Sequence, residues 1–269
     1  MSKMLFGMLL AAVQAAVAQP AAPTVGEIVA KANRAAYYQG RSGRAKVSMS
    51  IKDAQGRERA REFSILRLDL EPAGDATDTF AGDQKFYVYF ERPADVNKTA
   101  YLVHKHVGKD DDRWLFLPGL NLVKRVAASD KRTSFVGSDF FYEDVSGRGT
   151  DADTHELVET TESYYVLKST PKDPKSVEFA SYKMWVHKTS FIPVKAEYYD
   201  AGGAKLREAQ ALEVQQIQSF PTVTKSAMKD LRTGSVTTIA YTKVEYNIDL
   251  TEELFTERYL RNPPKAQLR

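Results

Sequence analysis

Residues 84–92 read Gln-Lys-Phe-Tyr-Val-Tyr-Phe-Glu-Arg. The two-residue period of a strand puts Phe86, Val88 and Phe90 on one face and Tyr87 and Tyr89 on the other. Both faces are apolar or aromatic. A strand wet on one side shows clean polar alternation, so either protein covers both faces or one face lines an apolar cavity. Trp114-Leu115-Phe116-Leu117 has the same two-sided character. Residues 182–187 set Tyr182, Met184 and Val186 against Lys183, Trp185 and His187.

Working outward, the same texture recurs along the chain. Strands are expected over 45–52, 59–70, 99–106, 113–117 and 122–127, and again over 164–169, 182–187, 193–199, 205–218, 222–230 and 235–247. Turn residues separate them, including Asp53-Ala54-Gln55-Gly56, the charged tip at 108–112, Asp200-Ala201-Gly202-Gly203 and Arg232-Thr233-Gly234. The 14 Tyr and 13 Phe suit strands better than helices. Ahead of the strands, Thr24-Val25-Gly26-Glu27 reads as a capping box. Val25, Ile28, Val29, Ala32 and Ala36 then follow at helical spacing, and Gly40 and Gly43 end the helix. The chain finishes in a polar stretch around 250–260 and a Pro263-Pro264 tail.

Residues 134–148 interrupt the strands. They carry Phe135, Phe140, Phe141 and Tyr142 where a loop would be polar, and Ser138 or Asp139 suits the cap of a short helix over 140–145. Strands joined by hairpins make one sheet, and a sheet of ten or more strands curls under its own twist. The expected fold is mainly β: a single large curved antiparallel sheet, a half-open barrel. An N-terminal helix and a short mid-chain helical lid, rich in those aromatics, cover its concave face.

Lys3, the apolar run from Met4 to Val17 and Ala16-Val17-Ala18 read as a signal peptide over residues 1–18, leaving 19–269 as one domain. The run is shorter than the ~20 apolar residues that span a bilayer. No cysteine is present, so the mature N-terminus cannot carry a lipid anchor, and an exported chain must be stable without disulfides. A soluble protein is expected. The formal net charge of +3, one unit of it from Lys3, is too mild for a nucleic-acid binder.

Catalytic chemistry is sparse. Thiol nucleophiles and thiolate metal sites are ruled out by composition. His104-Lys105-His106 puts two imidazoles on one strand face beside a hairpin tip, while His155 and His187 stand apart. Ser138 lacks a nucleophile elbow, Gly147-Arg148-Gly149 is too short for a dinucleotide fingerprint, and Asp110-Asp111-Asp112 lacks the alternating ligands of a calcium loop. No catalytic residue, metal or cofactor is expected, and the reading is of a protein that is not an enzyme.

The block Asp112-Arg113-Trp114-Leu115-Phe116-Leu117-Pro118, continuing through Val123-Lys124-Arg125-Val126 to Gly137-Ser138-Asp139-Phe140-Phe141-Tyr142-Glu143-Asp144, resembles the outer-membrane lipoprotein-sorting proteins. These are longer relatives of the periplasmic carrier LolA and its receptor LolB. The likeness is strongest over 86–148 and extends more weakly over the rest. It implies an incomplete barrel closed by helices around a cavity for acyl chains, in the periplasm of a Gram-negative cell. Arg92-Pro93 stands where the carrier has the arginine that latches its lid, Trp114 where it has a strand tryptophan, and 134–148 where its lid helices lie. The added material at 59–70 and 205–230 departs from the carrier, so lipoproteins are not fixed as the cargo.

The expected cavity residues are Phe86, Val88, Phe90, Trp114, Phe116, Met184, Trp185 and Tyr198. Phe135, Phe140, Phe141 and Tyr142 form the lid, and Arg92 bonds to it near 138–144. The expected partners are a lipid or lipidated protein, transient contact with a membrane and, as the resemblance implies, an inner-membrane transporter of the RND or MMPL type. The alternative is a periplasmic accessory or scaffold subunit of an exporter, with a filled core.

Overall fold

The computed structural model describes residues 22–70 and 82–269. The signal-peptide reading of 1–18 lies outside the described residues. Helix α1 (Val25–Tyr37) starts as its sequence requires. Thr24 Oγ1 accepts from the Glu27 backbone N–H at 3.3 Å, and Glu27 Oε2 accepts from the Thr24 N–H at 2.7 Å. At its far end Arg67 donates to the carbonyls of Tyr37, Gln39 and Gly40, which places a cation where the helix dipole is negative.

Six strands follow: β1 (Ser42–Lys52), β2 (Glu58–Asp69), β3 (Gln84–Arg92), β4 (Ala100–Lys105), β5 (Asp112–Leu117) and β6 (Leu122–Val126). After the short helix α2 (Tyr142–Ser146) come β7 (Asp153–Thr160), β8 (Tyr164–Pro171), β9 (Ser181–His187), β10 (Pro193–Tyr199), β11 (Lys205–Ile217), β12 (Phe220–Asp230) and β13 (Ser235–Tyr246). A final short helix, α3 (Glu257–Arg261), ends the chain.

All thirteen strands join one antiparallel sheet in the order β6-β5-β4-β3-β2-β1-β13-β12-β11-β10-β9-β8-β7, not closed into a barrel. The mainly β, half-open architecture expected from the sequence is what forms. The sheet is not one unbroken meander, however. First and last strands pair in its middle, with Val47 opposite Tyr241 and Met49 opposite Ile239, and the consecutive β6 and β7 lie at opposite edges. The chain between them, residues 127–152, must therefore cross from edge to edge. That crossing is the lid.

Helix α2 covers residues 142–146 rather than 140–145, and Asp144, not Ser138 or Asp139, accepts the Phe141 N–H at 2.8 Å. Strand β7 was not foreseen: as a polar edge strand with one end buried, it has no apolar face to give a period. The segment around 250–260 was read as polar, yet Leu250, Leu254, Phe255, Leu260 and Leu268 are buried against the outer face of β2–β5 beside Leu66, Leu68, Tyr87 and Leu102. Tyr87 Oη donates to the Tyr259 carbonyl at 2.7 Å, fixing that cover. Strands β3–β5 are apolar on both faces because they are covered on both, by the lid inside and the C-terminal segment outside.

Candidate functional site

The concave face is covered at both sides and hollow between them. Over β2–β4 the lid fills the sheet: Phe135 meets Phe63, Phe90 and Tyr101 with ring centroids 5.4–6.4 Å apart. Helix α1 covers the opposite side, burying Ile28, Val29 and Ala32 against Leu167 and Val186. Between these covers two adjoining hollows remain. The first, about 360 Å³, is lined by Ala45 and Met49 of β1, Phe63, Val88, Ile239 and Tyr241. The second, about 280 Å³, lies over Met184, Ala196, Ala209 and Met228, beneath Val29 and Ala32 of α1.

The second floor is one cross-strand row: Met184 faces Ala196, Ala196 faces Ala209, and Ala209 faces Met228. Two alanines at its centre leave space that Leu or Phe would fill. Ala211 and Ser226, also paired across the sheet, continue the small-residue strip. Burial pushes the hydroxyls of Tyr198 and Tyr241 each up to about 12.

The lid is held down along its length. Asp139 accepts from the Ser235 and Thr237 hydroxyls of β13, and its own N–H donates to Thr237 Oγ1 at 2.9 Å. Arg207 of β11 donates to the Asp139 carbonyl at 2.7 Å and to Asp144 Oδ2 at 3.1 Å, with its guanidinium 3.8 Å from the Phe141 ring centre. Arg132 also lies by that ring, 4.5 Å from its centre, and donates to Glu143 and to Glu178. Burial, the largest single influence, would raise the Glu178 carboxyl, but the hydrogen bond and charge of Arg132, with a backbone hydrogen bond and the charge of Arg207, together hold the group below its ordinary range. Arg59 reaches the Gly137 carbonyl at 3.3 Å.

These positions correct several expectations. Phe86 and Val88 line the first hollow, Met184 and Tyr198 the second, and Phe135 and Phe140 border the space from the lid. Phe90 is closed off under Phe63 and Phe135. Trp114 and Phe116 belong to the outer cluster under the C-terminal segment, and Leu115 takes the inward place. Trp185, next to inward Met184, points outward under Lys195, whose Nζ is 4.8 Å from its ring centre. Phe141 and Tyr142 anchor the lid: one lies against two guanidinium groups, the other against Tyr101 at 5.2 Å.

Arg92 does not latch the lid. Its side chain is 76% exposed at the end of β3 and faces Glu62 at 3.5 Å. The arginine that grips 138–144 is Arg207, 0% exposed. Its signal in the sequence was a charge two residues before Ala209 and four before Ala211 on one strand face.

A third recess, about 430 Å³, is polar, with Lys105, Asp111, Arg113 and Glu143 in its walls. Burial brings the Lys105 ammonium down to about 8, although Asp111 and Asp69 oppose the shift. The four histidines do not converge. His104 Nε2 meets the Phe255 carbonyl, His106 lies between Asp83 and Asp112, His155 contacts buried Ser169 and the Thr150 carbonyl, and His187 contacts Ser190 in its own turn. Among the described residues no helix is long and apolar enough to cross a membrane.

Comparisons with known proteins agree with this architecture. A family model described as "-like: Uncharacterized protein" matches residues 82–262. No curated protein matches the chain. Among solved structures, a DUF1329 family protein from Desulfovibrio piger is 28% identical, with a TM-score of 0.77 over 87% of this chain and 97% of its own. A domain named for outer membrane lipoprotein sorting, from Vibrio parahaemolyticus, is 28% identical with a TM-score of 0.76 over 88% and 98%. A LolA superfamily protein from Nitrosomonas europaea, at 24% identity and a TM-score of 0.66 over 88% and 100%, shares the fold. With the family model spanning residues 82–262, the protein belongs to the family that model describes, and its fold is that of the LolA-like proteins.

Proposed function

We propose that the protein is a periplasmic carrier that shelters the acyl chain or chains of a lipid or lipoprotein between inner and outer membrane, with residues 19–269 as the carrier domain. The apolar hollow between lid and sheet carries this reading. Each methylene exposed to water costs ~0.8 kcal/mol, so a long acyl chain needs roughly 10 kcal/mol of shelter during transfer. A small-molecule pocket takes roughly 300–1,000 Å³, and the two hollows, at about 360 and 280 Å³, match its lower end before any movement of the lid. The lid is tied by ion pairs and hydroxyl contacts rather than by a continuous sheet, so it is a cover that opens without unravelling the strands. Transient contact with the membrane and collaboration with an RND- or MMPL-type transporter complete the proposal. The accessory-subunit alternative calls for a filled interior, and the unfilled floor at Ala196 and Ala209 counts against it. Native mass spectrometry of gently purified protein should find co-purified lipid. Protein that carries none, and takes up none from vesicles, overturns the proposal.

A further inference from the structure

Tyr37 of α1 and Phe140 of the lid form walls of both hollows, together with Ala36, Val223 and Ser226. The two spaces therefore meet at one partition, while their floors run in different directions. From Ser226 of β12 the first floor crosses Tyr241 of β13, Met49 of β1 and Phe63 of β2 to Val88 of β3, four inter-strand intervals or about 19 Å, on the opposite side of β12 from the second. The second crosses four neighbouring strands from Met228 to Met184, three inter-strand intervals or about 14 Å. An acyl chain in a bilayer spans one leaflet, about 15 Å, half of the hydrocarbon core. Each compartment thus has the length for one chain.

Resting on the carrier reading above, we propose that the site is built for an amphiphile with two acyl chains, one in each compartment, with Tyr37 and Phe140 as the divider. Two chains joined at one headgroup start side by side and then diverge. Compartments that share a wall and run apart fit that branching. A single straight chain fills one compartment and leaves the other empty.

The test uses the full mature protein, delipidated, with two probes of equal chain length and headgroup: diacyl phosphatidylglycerol and its monoacyl lyso form. Native mass spectrometry should show one diacyl lipid, or two lysolipids, per protein at saturation. Competition should show the diacyl form binding roughly a hundredfold more tightly. Filling the second floor with Ala196→Leu and Ala209→Leu should abolish this preference and leave one lysolipid bound. A wild-type protein saturated by one lysolipid, with no preference for the diacyl probe, overturns the two-compartment inference while the carrier reading stands. Binding of neither probe removes the carrier reading itself.

Discussion

Arg92 and Arg207 are both strand arginines, and their surroundings give them opposite weight. Arg92 extends into water, where an exposed pair contributes ~0–1 kcal/mol. Arg207 is buried against Asp144, Glu178, the Asp139 carbonyl and the Phe141 ring, so its removal takes away one of the two guanidinium groups that these carboxylates share. Arg207→Met should cost roughly 3–5 kcal/mol in chemical denaturation, whereas Arg92→Leu should stay within about 0.5 kcal/mol. Lipid uptake should follow the same order, with Arg92→Leu close to wild type. Equal effects of the two changes would return the latch to the arginine the family resemblance implied. The signal that separates them is local and weak. Arg207 stands beside Ala209 and Ala211 on an inward strand face, a place a charge occupies only with partners, and those partners come from residues 139, 144 and 178.

The lid, residues 134–148, draws its order from contacts to β11 and β13 more than from its own one-turn helix. That makes it sensitive to acid. The Glu178 carboxyl that holds Arg132 ionises more readily in the folded protein than in the unfolded chain. Its stabilising contribution is therefore complete above the ordinary glutamate range and is lost as the pH falls through the depressed folded value. Hydrogen exchange should report this: protection of the 134–148 amides should fall in acid before that of β1, β2 and β13. Simultaneous loss of protection would show that the lid opens only with the whole sheet. The aromatic content of this element was plain in the sequence. Its path was not, because the edge-to-edge crossing follows from β1 pairing with β13, residues with nearly the whole chain between them.

At the scale of the molecule, the sheet is covered on two sides by segments that are not strands. The C-terminal segment buries five large apolar side chains on the outer face of β2–β5. At about 1.5–3 kcal/mol each, their burial matches the ~5–15 kcal/mol net stability of a whole domain. Truncation after Asn247 should therefore leave a chain that fails to fold cooperatively and aggregates, as read by loss of the thermal transition and by dye binding to exposed apolar surface. A truncated protein that melts like the full chain would mean that the cover is dispensable.

The strand texture, the capped helix α1, an aromatic-rich cover in mid-chain and the mainly β class can all be read from residue order. These rest on periods of two and 3.6 residues and on turn chemistry, all of which act between near neighbours. Which face of Trp114-Leu115-Phe116 or of Met184-Trp185 looks inward is set by packing between distant segments. Alternation separates two faces but does not rank them when both are covered. That packing also sets where the hollow lies and which arginine closes it. A cavity is the space that distant side chains leave unfilled, and Ala196, Ala209 and Ser226 become its floor only once four separate strands have been brought into register.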